Sequence, residues 1–130
     1  LPEVNEKPVV LVVDDDRPVA RMVAATLGLE GYGVVVAHDG REALERVQAE
    51  SPDVICLDLQ MPVMDGREFY HELRRRGVLT PVVVLSAYGA EAAQLELGAD
   101  GFVDKPFDPD ELVSTIAETI DFEKGRVAGS

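Results

Sequence analysis

The chain has 130 residues, 46% of them hydrophobic and 28% charged, enough for one domain with a real core and too few for a second. Its formal net charge of -13 excludes a grip on a nucleic-acid backbone, which needs clustered Lys and Arg. No apolar stretch approaches the roughly 20 residues of a membrane-spanning helix, and the first eight residues lack the basic-then-apolar pattern of a secretory leader, so a cytoplasmic chain without a membrane partner is the expectation.

Residues 1–7 read as a loose end or linker, and the absence of an initiating Met points to a fragment or processed chain. Val9 to Val13 is a β-branched run without polar alternation, the pattern of a strand buried on both faces of a parallel sheet. Asp14, Asp15 and Asp16 follow it. Val19, Met22, Val23, Thr26 and Leu27 then give a helix one apolar face, with Gly31 as its stop. Val34 to Ala37 predicts the second strand, and Ala43, Leu44 and Val47 mark the second helix. Val54 to Leu57 predicts the third strand. It holds Cys56, the only cysteine, which reads as a small buried hydrophobe rather than a redox centre.

Asp58 ends that strand. The loop Met61 to Gly66 follows, with Pro62 fixing the backbone and Gly66 permitting a turn. Phe69, Tyr70 and Leu73 line a third helix that stops at Gly77. Val82 to Leu85 predicts the fourth strand, with Ser86 directly after it. Ala90 to Leu97 is the whole candidate length of a fourth helix, marginal without tertiary packing. Gly101 to Val103 is the weakest strand, and Lys105 lies just past it. The last helix is the best marked: Asp108 as N-cap, Pro109 at its first position, Asp110 and Glu111 in its first turn, and Leu112, Val113, Ile116 and Ile120 as its stripe. Residues 123–130 read as a second loose end, which leaves 8–122 as the domain.

Five strand-then-helix repeats predict an open, doubly wound α/β sheet, whose ligands bind beyond the carboxyl ends of the strands. In the order 2-1-3-4-5, the first and third strands are neighbours, so Asp14, Asp15 and Asp58 meet in one crevice. Three carboxylates repel, and the ammonium of Lys105 leaves an excess of negative charge that suits a divalent cation. Magnesium fits best, as a hard cation that takes oxygen ligands. Zinc does not, because His38 and His71 are isolated and no Cys/His cluster exists.

A carboxylate can be the nucleophile toward a phosphoryl group once the charge on the transferred oxygens is neutralised. Lys105 and the Ser86 hydroxyl are placed to do so beside the metal. Each residue alone has a plainer reading: Asp14 to Asp16 as helix-capping acids, Asp58 as a turn residue, Ser86 as a capping hydroxyl, Lys105 as a surface lysine, Phe102 as core. For Asp16 the capping reading is kept. For the others, their joint arrival at matching strand ends outweighs it.

The run Val10-Leu11-Val12-Val13-Asp14-Asp15-Asp16, the segment Asp58-Leu59-Gln60-Met61-Pro62-Val63-Met64-Asp65-Gly66, then Leu85-Ser86-Ala87 and Asp104-Lys105-Pro106-Phe107 resemble the response-regulator receiver family of two-component signalling. The resemblance runs from about Pro8 to Phe122, with four motifs in the right order. It implies a flavodoxin-like (βα)5 fold of the CheY type and a signalling module rather than an enzyme, one that takes part in its own phosphorylation and dephosphorylation. Asp58 would accept a phosphoryl group from a histidine kinase or histidine phosphotransfer protein. Magnesium, for which manganese could substitute, would be held by Asp15, Asp58 and the Gln60 backbone carbonyl, with Asp14 acting through a metal-bound water. Lys105 would pair with the phosphoryl group. Ser86 and Phe102 would fill the two switch positions, and Lys105-Pro106 would be a cis peptide.

The interval from Ser86 to Lys105 is about three residues shorter than the family pattern, nearly one helical turn. This predicts a shortened fourth helix, and it leaves the geometry of any homodimer open, because the family's common dimer face includes that helix. Gln60 and Tyr88, each two residues beyond a site residue, flank the expected phosphoryl group, where a bulky Tyr88 would slow hydrolysis by shielding. Three other readings are weaker. A magnesium-dependent phosphatase or phosphotransferase would carry a second acid where Gln60 stands, and a lid-sized insertion. A degenerate receiver kept for protein binding would not retain every site residue. A dinucleotide or flavin domain would have a glycine-rich turn where Asp14 to Asp16 stand.

Overall fold

The computed structural model describes residues 7–61 and 63–129, with side chains as far as residue 123. Pro62 and most of the first loose end lie outside the described residues. The elements run β1 (Val9–Val13), α1 (Arg17–Leu29), β2 (Gly33–Ala37), α2 (Gly40–Glu50), β3 (Val54–Asp58), α3 (Gly66–Arg75), β4 (Val82–Ser86), α4 (Ala90–Leu97), β5 (Gly101–Asp104) and α5 (Pro109–Gly129). The strands form one sheet in the order β2-β1-β3-β4-β5, every pair parallel. A parallel pair needs a crossover, and each helix supplies one.

Alternation along the strands splits the core into two layers. Leu11, Val13, Ile55, Leu57, Val82 and Val84 face one side and pack on Ala43 and Leu44 of α2, Phe69, Tyr70 and Leu73 of α3, and Ala90 and Ala93 of α4. Val10, Val12, Val54, Cys56, Val83, Leu85 and Val103 face the other and pack on Ala20, Val23 and Leu27 of α1 and Leu112, Ile116 and Ile120 of α5. Both faces of the central strands are therefore apolar, as the unalternating runs require.

The buried stripe of α1 is Ala20, Val23 and Leu27, and Met22 points outward at 57% exposure. Ala20 takes the place on the inner face that the larger Met22 was expected to hold, because a three-to-four-residue spacing from Val23 selects it. Gly31 and Gly77 sit at positive φ, 97° and 81°. They close α1 and α3 by donating to the Gly28 and Arg74 carbonyls, each at 3.0 Å, the conformation glycine adopts at no steric cost. The last helix continues to Gly129, through the segment expected to be a loose end beyond residue 122.

Three caps fix where helices leave the sheet edge. Asp16, Asp39 and Asp65 each accept a hydrogen bond from the backbone N–H three residues on, and Asp65 with Glu68 forms a complete capping box. Helix α4 starts at Gly89 in a left-handed conformation with no side-chain cap and ends at Gly98, also left-handed. It keeps only its eight residues, as the short interval predicted.

Gly66 was expected to allow a turn, but its requirement is steric. A Cβ there would lie 2.5 Å from the Asp58 carbonyl oxygen and 2.6 Å from the Leu59 Cα, both backbone atoms that cannot yield. The start of α3 is thus seated directly on the backbone that carries Asp58. Gly66→Ala should lower stability by about 1–3 kcal/mol, the usual cost of overpacking, seen as an earlier midpoint in urea unfolding with an unchanged slope. An unshifted midpoint would mean that this contact is slack.

Candidate phosphoacceptor site

Strand register brings the acids together. Val13 pairs with both Ala37 and Leu57, so Asp14, one residue past β1, falls level with Asp58 at the end of β3. Asp14, Asp15 and Asp58 each offer a carboxylate oxygen within 4.8 Å of the others. Asp14 and Asp58 are buried and Asp15 is exposed, so the cluster has a closed floor and an open rim. On the far side, Ser86 pairs with Asp104, and the Lys105 N–H donates to the Ser86 carbonyl at 2.9 Å. That rung turns Lys105 back across the strand ends.

The Lys105 ammonium reaches Asp14 Oδ2 at 2.8 Å and lies 3.6 Å from Asp58 Oδ1. Three carboxylates against one ammonium leave the pocket negative. Burial pushes the Asp58 carboxyl up to about 6; the charge of Asp14 adds to this, while Lys105 and the Gln60 N–H, which donates to Asp58 Oδ1 at 3.3 Å, act against it. For Lys105, burial acts to lower the pKa, but the hydrogen bond to Asp14 and the charges of Asp14, Asp58 and Asp16 outweigh it, so the value is raised and the lysine stays charged. Asp14 Oδ1 also accepts the Asp16 N–H at 3.0 Å. Asp16 itself caps α1 through Val19 at 3.2 Å, the role expected of it.

The donor set fits a hard divalent cation: carboxylate oxygens only, two of them on buried residues, with one open side for water or a phosphate oxygen. Among the described residues this is the one group of three or more His, Cys, Asp or Glu side chains close enough to share an ion.

The remaining expected residues are placed as follows. Ser86 is buried, and its hydroxyl donates to the Tyr88 carbonyl at 3.0 Å while accepting the Tyr88 N–H at 3.2 Å. It therefore holds its own turn. A hydroxyl rotor can exchange these local partners for another acceptor. Gln60 and Tyr88 line one cleft with Leu59, Met61, Asp65, Arg67 and Ser86, and Tyr88 is 78% exposed. Phe102 is half-buried, packed against the α2–α3–α4 layer and bordering a surface hollow between β5 and α5. Lys105-Pro106 is cis. Cys56 is buried, and burial pushes its thiol up to about 12, which leaves it inert.

Two side chains at the site were missed in the sequence. Arg67 of α3 borders the cleft and bridges to Glu96 of α4 at 2.5 Å. His38, dismissed as isolated, puts its Nδ1 3.0 Å from the Asp14 carbonyl oxygen. Its position directly after the strand that neighbours β1 was the available signal.

Known proteins resemble this chain in sequence and in fold. The response regulator receiver domain family matches residues 10–117. The chain belongs to the response regulator receiver family. Response regulator MprA of Mycobacterium ulcerans is 43% identical over 108 residues, which are 81% of this chain and 47% of that protein. The chain thus spans about half the length of the curated relatives it matches. Among solved structures, the receiver domain of the Francisella response regulator 1452 superposes with a TM-score of 0.83 at 34% identity, covering 90% of this chain and 99% of that one. Vibrio cholerae chemotaxis response regulator CheY4 gives 0.80 at 39% identity, covering 88% and 99%. This receiver is a signalling module of two-component systems with the CheY-like fold, and no helix among its described residues is long and apolar enough to cross a membrane.

The raised Asp58 pKa makes a signed prediction for this receiver without metal. Because the folded state holds the proton more tightly than the unfolded chain, the Asp58 contribution falls as pH rises from about 4 through about 6. Asp58→Asn, which cannot ionise, should escape that loss. Its unfolding free energy without metal should exceed that of wild type at pH 7.5 and converge with it below pH 4. Parallel pH profiles would contradict the assignment.

Proposed function

We propose that this receiver takes a phosphoryl group from a phosphohistidine onto Asp58 in a magnesium-dependent reaction and passes the event to its surface through Ser86 and Phe102. The observation that carries the reading is the triad of Asp14, Asp15 and Asp58 within 4.8 Å at adjacent strand ends, with Lys105 bridging Asp14 and Asp58.

An Asp58 carboxylate oxygen attacks phosphorus, the phosphorus–nitrogen bond of the donor breaks, and the imidazole leaves. Asp58 must be ionised to attack, and above its pKa of about 6 it is. Asp14, Asp15, Asp58 and the Gln60 carbonyl would hold magnesium, or manganese in its place, and the bound cation would supply positive charge for the transferred oxygens. Lys105, already 3.6 Å from Asp58, contributes a second positive charge on a mobile stem. Ser86 leaves the Tyr88 backbone to donate to a phosphoryl oxygen. The turn from Ser86 to Tyr88, held by those two hydrogen bonds, is then released, and Phe102 repacks into the space vacated. The exposed Tyr88 ring and Gln60 border the cleft through which water must approach, so they set how long the phosphoryl group lasts.

The partner that follows is a histidine kinase or histidine phosphotransfer protein in the cytoplasm, and the output belongs to whatever this receiver is joined to or binds. A phosphatase of external substrates is disfavoured by Gln60, which stands where such an enzyme needs an acid.

Incubation with acetyl phosphate and magnesium should add the mass of one phosphoryl group. Asp58→Asn, or a chelator, should abolish the gain. A folded wild-type protein that gains no mass from acetyl phosphate, and none from a panel of phosphorylated histidine phosphotransfer proteins, would overturn the reading.

A further inference from the structure

The hydrogen bonds of β1 run out at the site. The last rung to β2 is the Asp14 N–H donating to the Ala37 carbonyl at 3.0 Å, and β2 then ends. The Asp14 carbonyl lies one step further, and among the described residues its donor is the ring of His38, with Nδ1 at 3.0 Å. A carbonyl can only accept, so Nδ1 carries the proton, which fixes the tautomer of a neutral ring with Nε2 as the free nitrogen. The His38 backbone is fixed in turn: its N–H donates to Glu42 Oε1 at 2.8 Å, while the Glu42 N–H donates to Asp39 Oδ1 at 2.8 Å. The N-terminal cap of α2 thereby aims the imidazole.

That carbonyl belongs to the peptide joining Asp14 to Asp15. Because a peptide is planar, holding its oxygen fixes the plane and hence where the Asp15 Cα, from which the carboxylate extends, stands relative to Asp14. We propose that His38 is a positioning residue for the divalent-cation site, setting the Asp14–Asp15 peptide plane through its Nδ1–H so that both carboxylates converge with Asp58. This rests on the reading of the three acids as a metal site. His38 touches no metal itself; it acts as the hydrogen-bond partners behind metal ligands do, where loss typically weakens binding by about tenfold or more. A role in packing alone would depend on the bulk of the ring and not on its donor.

The test uses Mn2+ alone, followed by the electron paramagnetic resonance of the free ion at pH 8, with wild type, His38→Leu and His38→Asn. Asparagine places an N–H donor on the atom attached to Cγ, as histidine places Nδ1. His38→Leu should raise the Mn2+ dissociation constant roughly tenfold, and His38→Asn, which keeps the donor, should stay within about twofold of wild type, less than a lost hydrogen bond typically costs. Melting curves without metal establish that each variant is folded. Should His38→Leu fail to fold, His38→Gln, whose amide sits one bond further out, takes its place with the same expected loss. Unchanged binding in His38→Leu overturns the proposal, and so does an equal loss in His38→Asn. A wild-type protein that takes up no Mn2+ overturns the metal-site reading beneath it, and this proposal with it.

Discussion

Everything at the carboxyl edge of the sheet depends on one ion pair, Lys105 with Asp14. Asp14 is 1% exposed, and a carboxylate that far from water is costly unless it is paired and hydrogen-bonded. Lys105 at 2.8 Å and the Asp16 N–H at 3.0 Å meet that demand. The pair spans β1 and β5, with β3 and β4 between them in the sheet, so it ties the edge of the sheet across Asp58. It also sets the charge left over. With one of three carboxylates matched, the pocket keeps a surplus of negative charge, which adds to the larger effect of burial in raising the pKa of Asp58.

The backbone around Asp58 is held from three sides. Leu57 is locked between β1 and β4 by the ladder, Gly66 brings α3 onto the Asp58 carbonyl, and Gln60 returns its N–H to the carboxylate. The Ser86 turn is the opposite case. Its two bonds to Tyr88 are local, and the helix that follows begins at a left-handed glycine without a side-chain cap. The edge of the sheet thus combines two kinds of element, one over-determined and one lightly held.

The strands and their order were legible because apolar runs of five residues bounded by acids and glycines leave few alternatives, and the positions of Asp14, Asp15, Asp58, Ser86 and Lys105 follow once the order 2-1-3-4-5 is set. Details that depend on side-chain direction were not. Met22 is the larger apolar residue, and its size drew the expectation away from Ala20, which the three-to-four-residue spacing from Val23 places inside. Gly66 signals a special backbone position, but a close approach and a turn leave the same letter in a sequence. The hydroxyl of Ser86 marks a strand end without saying which acceptor it faces. His38 was passed over because it was judged only as a metal ligand, whereas its contact is with the carbonyl of the peptide between Asp14 and Asp15. The continuation of α5 to Gly129 was not legible, because Gly125 and Gly129 read as an ending.

The most direct test of the central role of Lys105 is equilibrium unfolding of wild type and Lys105→Met over a range of MgCl2 concentrations at pH 7.5. Without metal, the variant should lose about 3–5 kcal/mol, the cost of leaving a buried carboxylate unpaired. Magnesium should then stabilise the variant by more than it stabilises wild type, because the cation meets a pocket with one more uncompensated charge. A variant as stable as wild type without metal, and no more responsive to magnesium, would contradict the account.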